Sequence, residues 1–364
     1  MPTIQHEILN DLVFRVFHAT GIPEADAHIV ADHLVNSQLY GHDSHGTWFT
    51  PAYARGMLAG YRRWEDHEVL RDNPVLRVID AKGANGIVSV TRALDIAVEK
   101  AEKSTFGFVG LSNTTHIGRL GDYPPRMAEK GMIGMVWLNG GGVFLAPFGS
   151  ADRRLRPEPI AFSAPRRNGP PFMLDMTMTV VAGGKIEQKF IRGEEMPDGW
   201  VIDPQGNSVS DPARYKDDPE NTGVLPLGGM QFGHKGYGLG MMVEMLVGPL
   251  SHAGCTKAAS GTGGGVMILA IKIEDFIELA SYEEEVEALA EWVCSARPLP
   301  GFDKVYTPGQ IEEETYARLS REGIDLPEPT WKAIGEIAGE RSEEHTSELQ
   351  SPCNLVCRLL LEKK

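Results

Sequence analysis

The sequence predicts an α/β protein that is not an ordinary Rossmann domain, and two features of the chain support this prediction. From Asp80 onward, short apolar runs typical of buried strands alternate with segments that have the apolar spacing of amphipathic helices. The second feature is negative: the pattern GxGxxG occurs nowhere in the 364 residues. Because an ordinary Rossmann domain needs those glycines between its first strand and helix, the sequence disfavours that version of α/β.

The elements follow from apolar spacing and from the glycines and prolines between them. Two amphipathic helices open the chain, the first over residues 3–19 and the second ending near Leu39. Later helices are predicted at 86–101, 181–191, 236–250 and after Tyr282, and strands at 106–111, 132–138, 160–164 and 266–273. Residues 194–223 are rich in Pro, Asp, Gly and Asn and indicate a long loop.

Composition restricts the partners. The chain is 42% hydrophobic and 23% charged, and it carries a formal charge of −15. An acidic chain repels nucleic acid and anionic lipid, so we expect neither nucleic acid nor membrane as a partner. No apolar run reaches the ~20 residues of a membrane helix, and the first residues lack a signal-peptide pattern, so we expect a cytoplasmic protein.

The last residues differ in character from the rest. Residues 341–364 resemble the in-frame translation of a sequencing adapter, and we expect them to be an artefactual tail without a role in the fold. Two of the four cysteines lie in this tail. The other two, Cys255 and Cys294, have no CxxC spacing, which fits a reducing compartment.

Three histidines are candidates for chemistry. His42 and His45 are three residues apart after the second helix, a spacing that suits a metal, but no third ligand is evident. His45 is alternatively a general acid or base, because imidazole titrates near neutral pH, or a solvated loop residue. His116 follows a predicted buried strand, where α/β proteins collect ligands, and its alternative role is to cap the next helix.

Glycine-rich segments are the remaining candidates. Residues 228–238 precede a predicted apolar helix, so their amide groups and Lys235 can hold an anion at a helix N-terminus. The alternative is a turn in which glycines only permit close backbone packing. The sequence alone does not choose between these two interpretations.

Several segments together resemble a known family, the malate/L-lactate dehydrogenase-like oxidoreductases, which lack a Rossmann fold. The resemblance extends from the first helix to about Ala338. Its carriers are residues 42–46 (HDSHG), 113–121 (NTTHIGRLG), 175–177 (DMT), 184–186 (GKI), 225–229 (LPLGG), 234–239 (HKGYGL) and 308–310 (PGQ).

The resemblance implies a fold, a domain organisation and an assembly. It implies a mixed-sheet domain that binds a nicotinamide cofactor, NAD or NADP, and a helical domain formed by both chain ends. We place the helical domain at 1–75 with 275–340 and the cofactor domain at 76–274. A homodimer is also implied.

The resemblance also assigns roles to residues. His45 would exchange a proton with the substrate, Ser44 would orient its ring, and His116 is the alternative acid or base. The residues that match the cofactor contacts of the family are Asp175, Met176, Thr177, Lys185, His234, Lys235, Gly236, Pro308, Gly309 and Gln310.

Departures from the family concern the substrate. Relatives often carry an arginine four residues after the motif histidine to clamp a carboxylate, and here that residue is Phe49. Arg55, Arg119 and Arg156 are possible replacements, although each is more commonly a surface charge. Residues 157–159 read PEP where relatives commonly have TNP, and Gln310 replaces a frequent glutamate.

We therefore expect an NAD(P)-dependent oxidoreductase that acts on a small 2-hydroxy or 2-oxo acid or a related imine. A non-catalytic binding or scaffold protein is the alternative that Phe49 permits. A metal hydrolase using His42 and His45 is a weaker alternative, and no metal is expected in the preferred interpretation.

Overall fold

The computed structural model describes residues 2–257 and 264–344, with side chains described as far as Gly339, and its contacts divide the chain into two units. The first unit consists of the described residues of Met1–Arg63 and Gln310–Lys364. The second unit consists of those of Trp64–Gly309.

Eleven helices and eleven strands occur in the described residues. In chain order the helices are α1 (His6–His18), α2 (Glu24–Leu39), α3 (Thr50–Gly60), α4 (Gly86–Ser104), α5 (Pro124–Ala128), α6 (Gly183–Arg192), α7 (Pro212–Asp217), α8 (Gly229–Val247), α9 (Leu279–Cys294), α10 (Gln310–Glu322) and α11 (Glu328–Glu344). The strands are β1 (Thr3–Ile4), β2 (Glu68–Asp72), β3 (Leu76–Asp80), β4 (Phe106–Ser112), β5 (Met132–Asn139), β6 (Ile160–Ala164), β7 (Phe172–Met176), β8 (Val201–Ile202), β9 (Gly223–Val224), β10 (Gly265–Lys272) and β11 (Ile324–Asp325).

The first unit is helical and contains both chain ends. Helix α1 contacts α2, α3 and α11, and it buries an apolar face that includes Leu12, Val16 and Phe17. The predicted first helix is confirmed from His6, but Thr3 and Ile4 form a strand instead of its first turn. They pair antiparallel with Asp325 and Ile324, a contact between distant parts of the sequence that local spacing cannot reveal.

The second unit is built on a seven-stranded sheet with the order β2-β3-β4-β10-β5-β6-β7. The β3–β4 pair is parallel, and every other neighbouring pair in this sheet is antiparallel. The sheet is therefore mixed, and the predicted α/β class without a Rossmann topology is confirmed. Strand β10 lies in the centre, where Val266 and Ile268 are fully buried.

Helices cover this sheet. Helix α4 contacts β4 and β10, and Asn85 caps it by accepting a hydrogen bond from the N–H of Val88 at 3.2 Å. Helix α8 contacts β5 and β10, and its Val243 and Val247 are fully buried there. In the described part of the chain, no helix is both long and apolar enough to cross a membrane.

The segment 194–223, predicted as a long loop, has structure of its own. It contains β8, which pairs with β9, and α7, which Asp211 caps by accepting from the N–H of Ala213 at 2.8 Å. Val201 and Val209 pack with Val224 in a small buried cluster. The prediction was wrong because these apolar residues are isolated in the sequence and become a cluster only through the fold.

Helix α8 begins at Gly229, earlier than the predicted start near Gly236. A side chain at Gly236 would place its Cβ 2.6 Å from the backbone of Leu227, and one at Gly233 would place it 2.8 Å from Pro226. Glycine is needed at both positions because the chain before the helix packs tightly against it. These glycines therefore permit close backbone packing, one of the two roles between which the sequence did not choose.

The unit boundaries fall at Arg63 and Gly309, whereas the predicted helical domain covered 1–75 and 275–340. Residues 64–75 and 275–309 belong to the second unit. Strand β2 pairs with β3 of the sheet, and Glu287 of α9 accepts two hydrogen bonds from Arg166, at 2.8 and 3.0 Å. Of the predicted tail, 341–364, residues 345–364 lie outside the described residues.

Candidate active site

The histidine motif of the first unit forms a tight turn directly after α2. Residues Asp43–His45 make a single 3-10 turn, in which the N–H of His45 donates to the carbonyl of His42 at 2.9 Å. Asp43 is exposed, and Ser44 and His45 are half-buried. The turn therefore presents the serine and the histidine at a partly solvated edge of the unit.

Gln38, buried at the end of α2, holds this turn in place. Its Nε2 donates to Oδ1 of Asp43 at 2.8 Å, and its Oε1 accepts from the backbone N–H of Thr47 at 3.2 Å. A Cβ at Gly46 would lie 2.1 Å from that same Oε1. The HDSHG motif thus needs its glycine because the amide of Gln38 occupies the space of a side chain.

Ser44 and His45 form the central contact of the turn. Oγ of Ser44 lies 3.0 Å from Nδ1 of His45, within hydrogen-bond distance. The carbonyl of Ser44 accepts a hydrogen bond from the indole N–H of Trp48 at 2.9 Å, which fixes the serine backbone. The contact engages Nδ1 of the imidazole and not Nε2.

Aromatic side chains follow the motif. The ring of Phe49 lies 4.2 Å from that of Trp48 and 5.1 Å from that of Tyr53, centroid to centroid. Burial raises the pKa of Tyr53, so its hydroxyl is neutral at ordinary pH. Arg55 is exposed on the same helix, α3.

His42 lies beside an acidic side chain of the first unit. Its Nε2 lies 3.8 Å from Oε1 of Glu312 on α10. Within the described ranges, no group of three or more His, Cys, Asp and Glu side chains is arranged to hold a metal ion.

His116 lies in the second unit, in the loop between β4 and a 3-10 turn at Leu120–Asp122. Its ring is exposed, and Nδ1 accepts from the N–H of Gly118 at 3.3 Å. The preceding residue, Thr115, accepts from the N–H of Gly86 at 2.9 Å, which ties this loop to the start of α4. Thr115 thus joins this loop to the helix that precedes it in the chain.

Arg119 and Arg156 are buried, contrary to the expectation that such arginines are surface charges. Arg119 is 3% exposed and its Nη2 lies 3.8 Å from Oδ1 of Asp122. Arg156 is 4% exposed and its Nη1 donates to Oδ1 of Asn139 at 3.5 Å. Of the three candidate arginines, Arg55 alone lies on the surface.

Two of the predicted cofactor segments, 175–177 and 308–310, meet at β7 together with two other motifs of the family resemblance. Oδ2 of Asp175 accepts from the N–H of Gly121 at 2.7 Å, and a Cβ at Gly121 would lie 2.8 Å from that oxygen. Gly309, with a φ of +90°, would place a Cβ 3.0 Å from the carbonyl of Met173. The carbonyl of Met178 accepts from the N–H of Leu227 at 2.9 Å, which brings the residues before α8 to the same place.

The remaining cofactor candidates differ in their settings. His234 and Lys235 are exposed on α8. The ring of His234 packs edge-on against that of Phe148, and Nζ of Lys235 lies 5.4 Å from the ring centroid of Phe232. Because α8 begins at Gly229, Lys235 lies in its second turn and not at its N-terminus.

Lys185 is exposed in the first turn of α6. Met176 and Thr177 are half-buried at the end of β7, and Gln310 begins α10 in the first unit.

The sequence did not predict a cationic cleft beside α8. It has a volume of about 440 Å³, and Tyr237 and Met241 of α8 form one side of it. Arg153, Arg154 and Lys257 provide positive charge in an otherwise acidic chain. The Arg153-Arg154 dipeptide was the available signal, but a basic dipeptide is ordinary on a surface.

Comparison with known proteins decides the family. The family model for malate/L-lactate dehydrogenase matches residues 4–335. The chain belongs to the malate/L-lactate dehydrogenase family. It is an oxidoreductase of the class that acts on hydroxy acids, and members of this family are nicotinamide-dependent.

Individual members of the malate/L-lactate dehydrogenase family resemble the chain over nearly its whole length. Malate dehydrogenase of Pyrococcus horikoshii is 34% identical over 91% of this chain and 93% of the relative. Hydroxycarboxylate dehydrogenase B of Escherichia coli is 30% identical over 91% of this chain and 92% of the relative. The solved structure of the Pyrococcus horikoshii enzyme superposes with a TM-score of 0.83 at 32% identity, covering 93% of this chain and 95% of that one.

Proposed function

We propose that this protein transfers a hydride between NAD or NADP and a small 2-hydroxy or 2-oxo acid, with His45 as the acid or base. The observation that carries the proposal is the 3.0 Å contact between Oγ of Ser44 and Nδ1 of His45. It supplies an oriented imidazole, the group best suited to exchanging a proton near neutral pH.

The serine hydroxyl suits both directions of the reaction. As the acid, the imidazolium donates Nδ1–H to Oγ of Ser44 and can pass its Nε2 proton to a substrate carbonyl oxygen. As the base, the neutral ring keeps Nδ1–H on Oγ, and Nε2 can take the proton of a substrate hydroxyl. Because Nδ1–H donates to the same oxygen in both states, Ser44 keeps the ring oriented while the proton moves.

The chemistry of the predicted cofactor residues suits a dinucleotide. Lys235, His234 and Lys185 are exposed polar groups that can bind phosphate or ribose, and Asp175 is held by the Gly121 amide. Met176, Thr177, Pro308, Gly309 and Gln310 complete the proposed cofactor set. When bound, the nicotinamide supplies or removes the hydride.

The substrate proposal rests on the activities for which the relatives are named and on the residues after the motif. The relatives are named for malate and for hydroxycarboxylates. Phe49 would line the substrate site of this chain with an aromatic ring, which favours a larger or less acidic acid than malate. Arg119, Arg55 and His116 are the proposed contacts for the substrate carboxylate.

We also propose a homodimer, formed through α8. Its exposed face carries Phe232, Leu239, Met242 and Met245, which are between 39% and 59% exposed. Such an apolar row on one helix is typical of a surface covered by a second copy. Met242→Glu combined with Met245→Glu should then yield monomers in sedimentation, and unchanged dimers would place the interface elsewhere.

A cytoplasmic location completes the proposal. Cys255 and Cys294 are both free, as expected in a reducing compartment. Fractionation of the producing cells, with activity assayed in each fraction, tests this location.

The function is tested with a panel of 2-oxo acids and both reduced cofactors. Oxidation of NADH or NADPH that depends on one acid class supports the proposal and names the substrate. A folded protein that binds either cofactor but turns over no member of the panel would contradict it.

A further inference from the structure

Glu158 is an acidic residue in an unusual position. It lies between Pro157 and Pro159, it is fully buried, and its φ of +45° is in the left-handed region, which non-glycine residues rarely adopt. Its side chain runs along α8, where a Cβ at Gly240 would lie 3.9 Å from its Cγ. A buried carboxyl group on a strained backbone requires a compensating interaction.

Two charged groups face this carboxyl. Glu244, on α8 and 3% exposed, interacts with it directly, and Arg156, in the same segment, is the nearby positive charge. Met178 and Leu145 flank the same part of α8 and are apolar. Both carboxyl oxygens of Glu158 are buried, and among the described residues no N–H or O–H is aligned with either of them for a hydrogen bond, although the backbone N–H of Arg156 is near enough to favour the ionised form.

The two carboxylate oxygens of Glu244 differ in their hydrogen bonds. Its Oε2 accepts from Nδ2 of Asn139 at 2.8 Å and from the N–H of Thr256 at 3.0 Å. Its Oε1 is buried and has no donor among the described residues. Two facing carboxylates lack a donor between them, whereas a protonated Glu158 supplies one and satisfies the open oxygen of Glu244.

We propose that Glu158 is a positioning residue that keeps its proton at neutral pH and donates a hydrogen bond to Glu244. This bond fixes α8 against residues 156–159 and against Asn139, at the end of β5. Since α8 carries His234, Lys235 and Gly236, the bond would also hold the cofactor segment, a consequence that rests on the proposed function.

Electrostatics support a proton on the carboxyl group of Glu158. Burial, chiefly, together with the charge and hydrogen bonding of Glu244 raises the pKa of Glu158 to about 10, a net value that includes the opposing effect of Arg156. The folded chain therefore retains a proton that the unfolded chain, with an ordinary glutamate pKa of 4.5, has lost. The equilibrium constant for unfolding should then rise by up to about tenfold per pH unit between these two values.

The first test is unfolding in urea at several values between about pH 6 and pH 9, comparing the wild-type chain with Glu158→Gln. Gln donates a hydrogen bond without titrating, so the stability of the variant should change much less with pH. Glu287→Gln is the matched control, because Glu287 is also buried in the second unit but is ionised throughout this range, its pKa being lowered chiefly by Arg166. Its curve should run parallel to that of the wild type.

A second test needs no unfolding. Difference infrared spectroscopy at neutral pH should show the carbonyl band of a protonated carboxylic acid in the wild type, and Glu158→Gln should remove it. If Glu158→Gln does not fold, Glu244→Gln should abolish the same band, since its amide donates to Glu158 and favours the ionised form. A wild-type spectrum without the band, or equal pH slopes in wild type and Glu158→Gln, would overturn the proposal.

Cofactor titration separates this inference from the function it rests on. Glu158→Gln should bind NAD(P)H at neutral pH within about twofold of the wild type, and Glu158→Ala should bind it at least about tenfold more weakly. If neither the wild type nor any variant binds cofactor, the proposed function fails while the proton test still stands. If Glu158→Ala and the wild type bind NAD(P)H equally well, the proposed positioning role of Glu158 is contradicted.

Discussion

The backbone N–H of Gly121 donates to Oδ2 of Asp175 at 2.7 Å, and so joins the loop after His116 to the end of β7. The two residues are distant in sequence, and both lie in segments that carry the family resemblance. A side chain at residue 121 would collide with the carboxylate at 2.8 Å. The contact therefore places the His116 loop and the proposed cofactor segment in one part of the second unit.

Removing this carboxylate should loosen both segments. Asp175→Ala should lower the free energy of unfolding by about 1–3 kcal/mol, because it leaves the Gly121 amide without its acceptor, and should weaken cofactor binding. Asp175→Asn keeps a neutral acceptor and should lie between the wild type and the alanine variant. Urea unfolding and cofactor fluorescence titration measure both effects, and equal losses in the two variants would contradict the hydrogen-bond account.

Gly46→Ala tests the brace of the histidine turn. The added Cβ would lie 2.1 Å from Oε1 of Gln38, so we expect a loss of about 1–3 kcal/mol in stability together with slower turnover. Gly56→Ala in α3 is the control, since nothing lies within 4 Å of its Cβ and alanine favours a helix by about 0.5–1 kcal/mol. A Gly46→Ala variant as stable and active as Gly56→Ala would show that the brace is dispensable.

Lys235→Ala should weaken cofactor binding through loss of a charge near the phosphates. The loss should shrink as salt is added, because ions screen exposed charges. Lys103→Ala removes the same charge from the exposed end of α4 and should leave affinity unchanged. Equal affinities of the two variants at low salt would exclude the role of Lys235.

Phe49→Arg should improve turnover of simple 2-oxo diacids. Guanidinium donates two charge-assisted hydrogen bonds to a carboxylate, which the phenyl ring cannot. Phe49→Leu is the control, because it also removes the stack on Tyr53 but adds no donor. If Phe49→Arg lowers kcat/KM for every acid tested as much as Phe49→Leu does, the substrate carboxylate binds elsewhere.

Much of the fold could be predicted because its signals are local. Helix α4 has a long apolar face and an asparagine cap, and β10 is a continuous apolar run between glycines and a polar turn. Strand β1 could not be predicted, since its pairing with β11 is a contact between the two chain ends. The start of α8 was missed because glycines usually end helices, and only the close approach of Leu227 explains their presence inside one.

The same distinction applies to the site. The motif at residues 42–46 was expected at a helix end, and the structure places it in a turn directly after α2. The burial of Arg119 and Glu158 was not foreseen, because a charged residue in a loop is usually solvated. The partner of Arg119 is local, since Asp122 lies three residues further along the chain. The partner of Glu158 is distant in sequence, since Glu244 lies on α8.

The central claim is that His45 exchanges the proton, and single-turnover hydride transfer in His45→Ala tests it most directly, with His116→Ala measured beside it. Loss of a general acid slows the chemical step by about 10²–10⁴-fold while sparing cofactor affinity, so His45→Ala should bind NAD(P)H normally and react slowly. His116→Ala should weaken substrate or cofactor binding more than it slows the chemistry. If His116→Ala is instead the variant that binds normally and fails to transfer hydride, the assignment of His45 is contradicted.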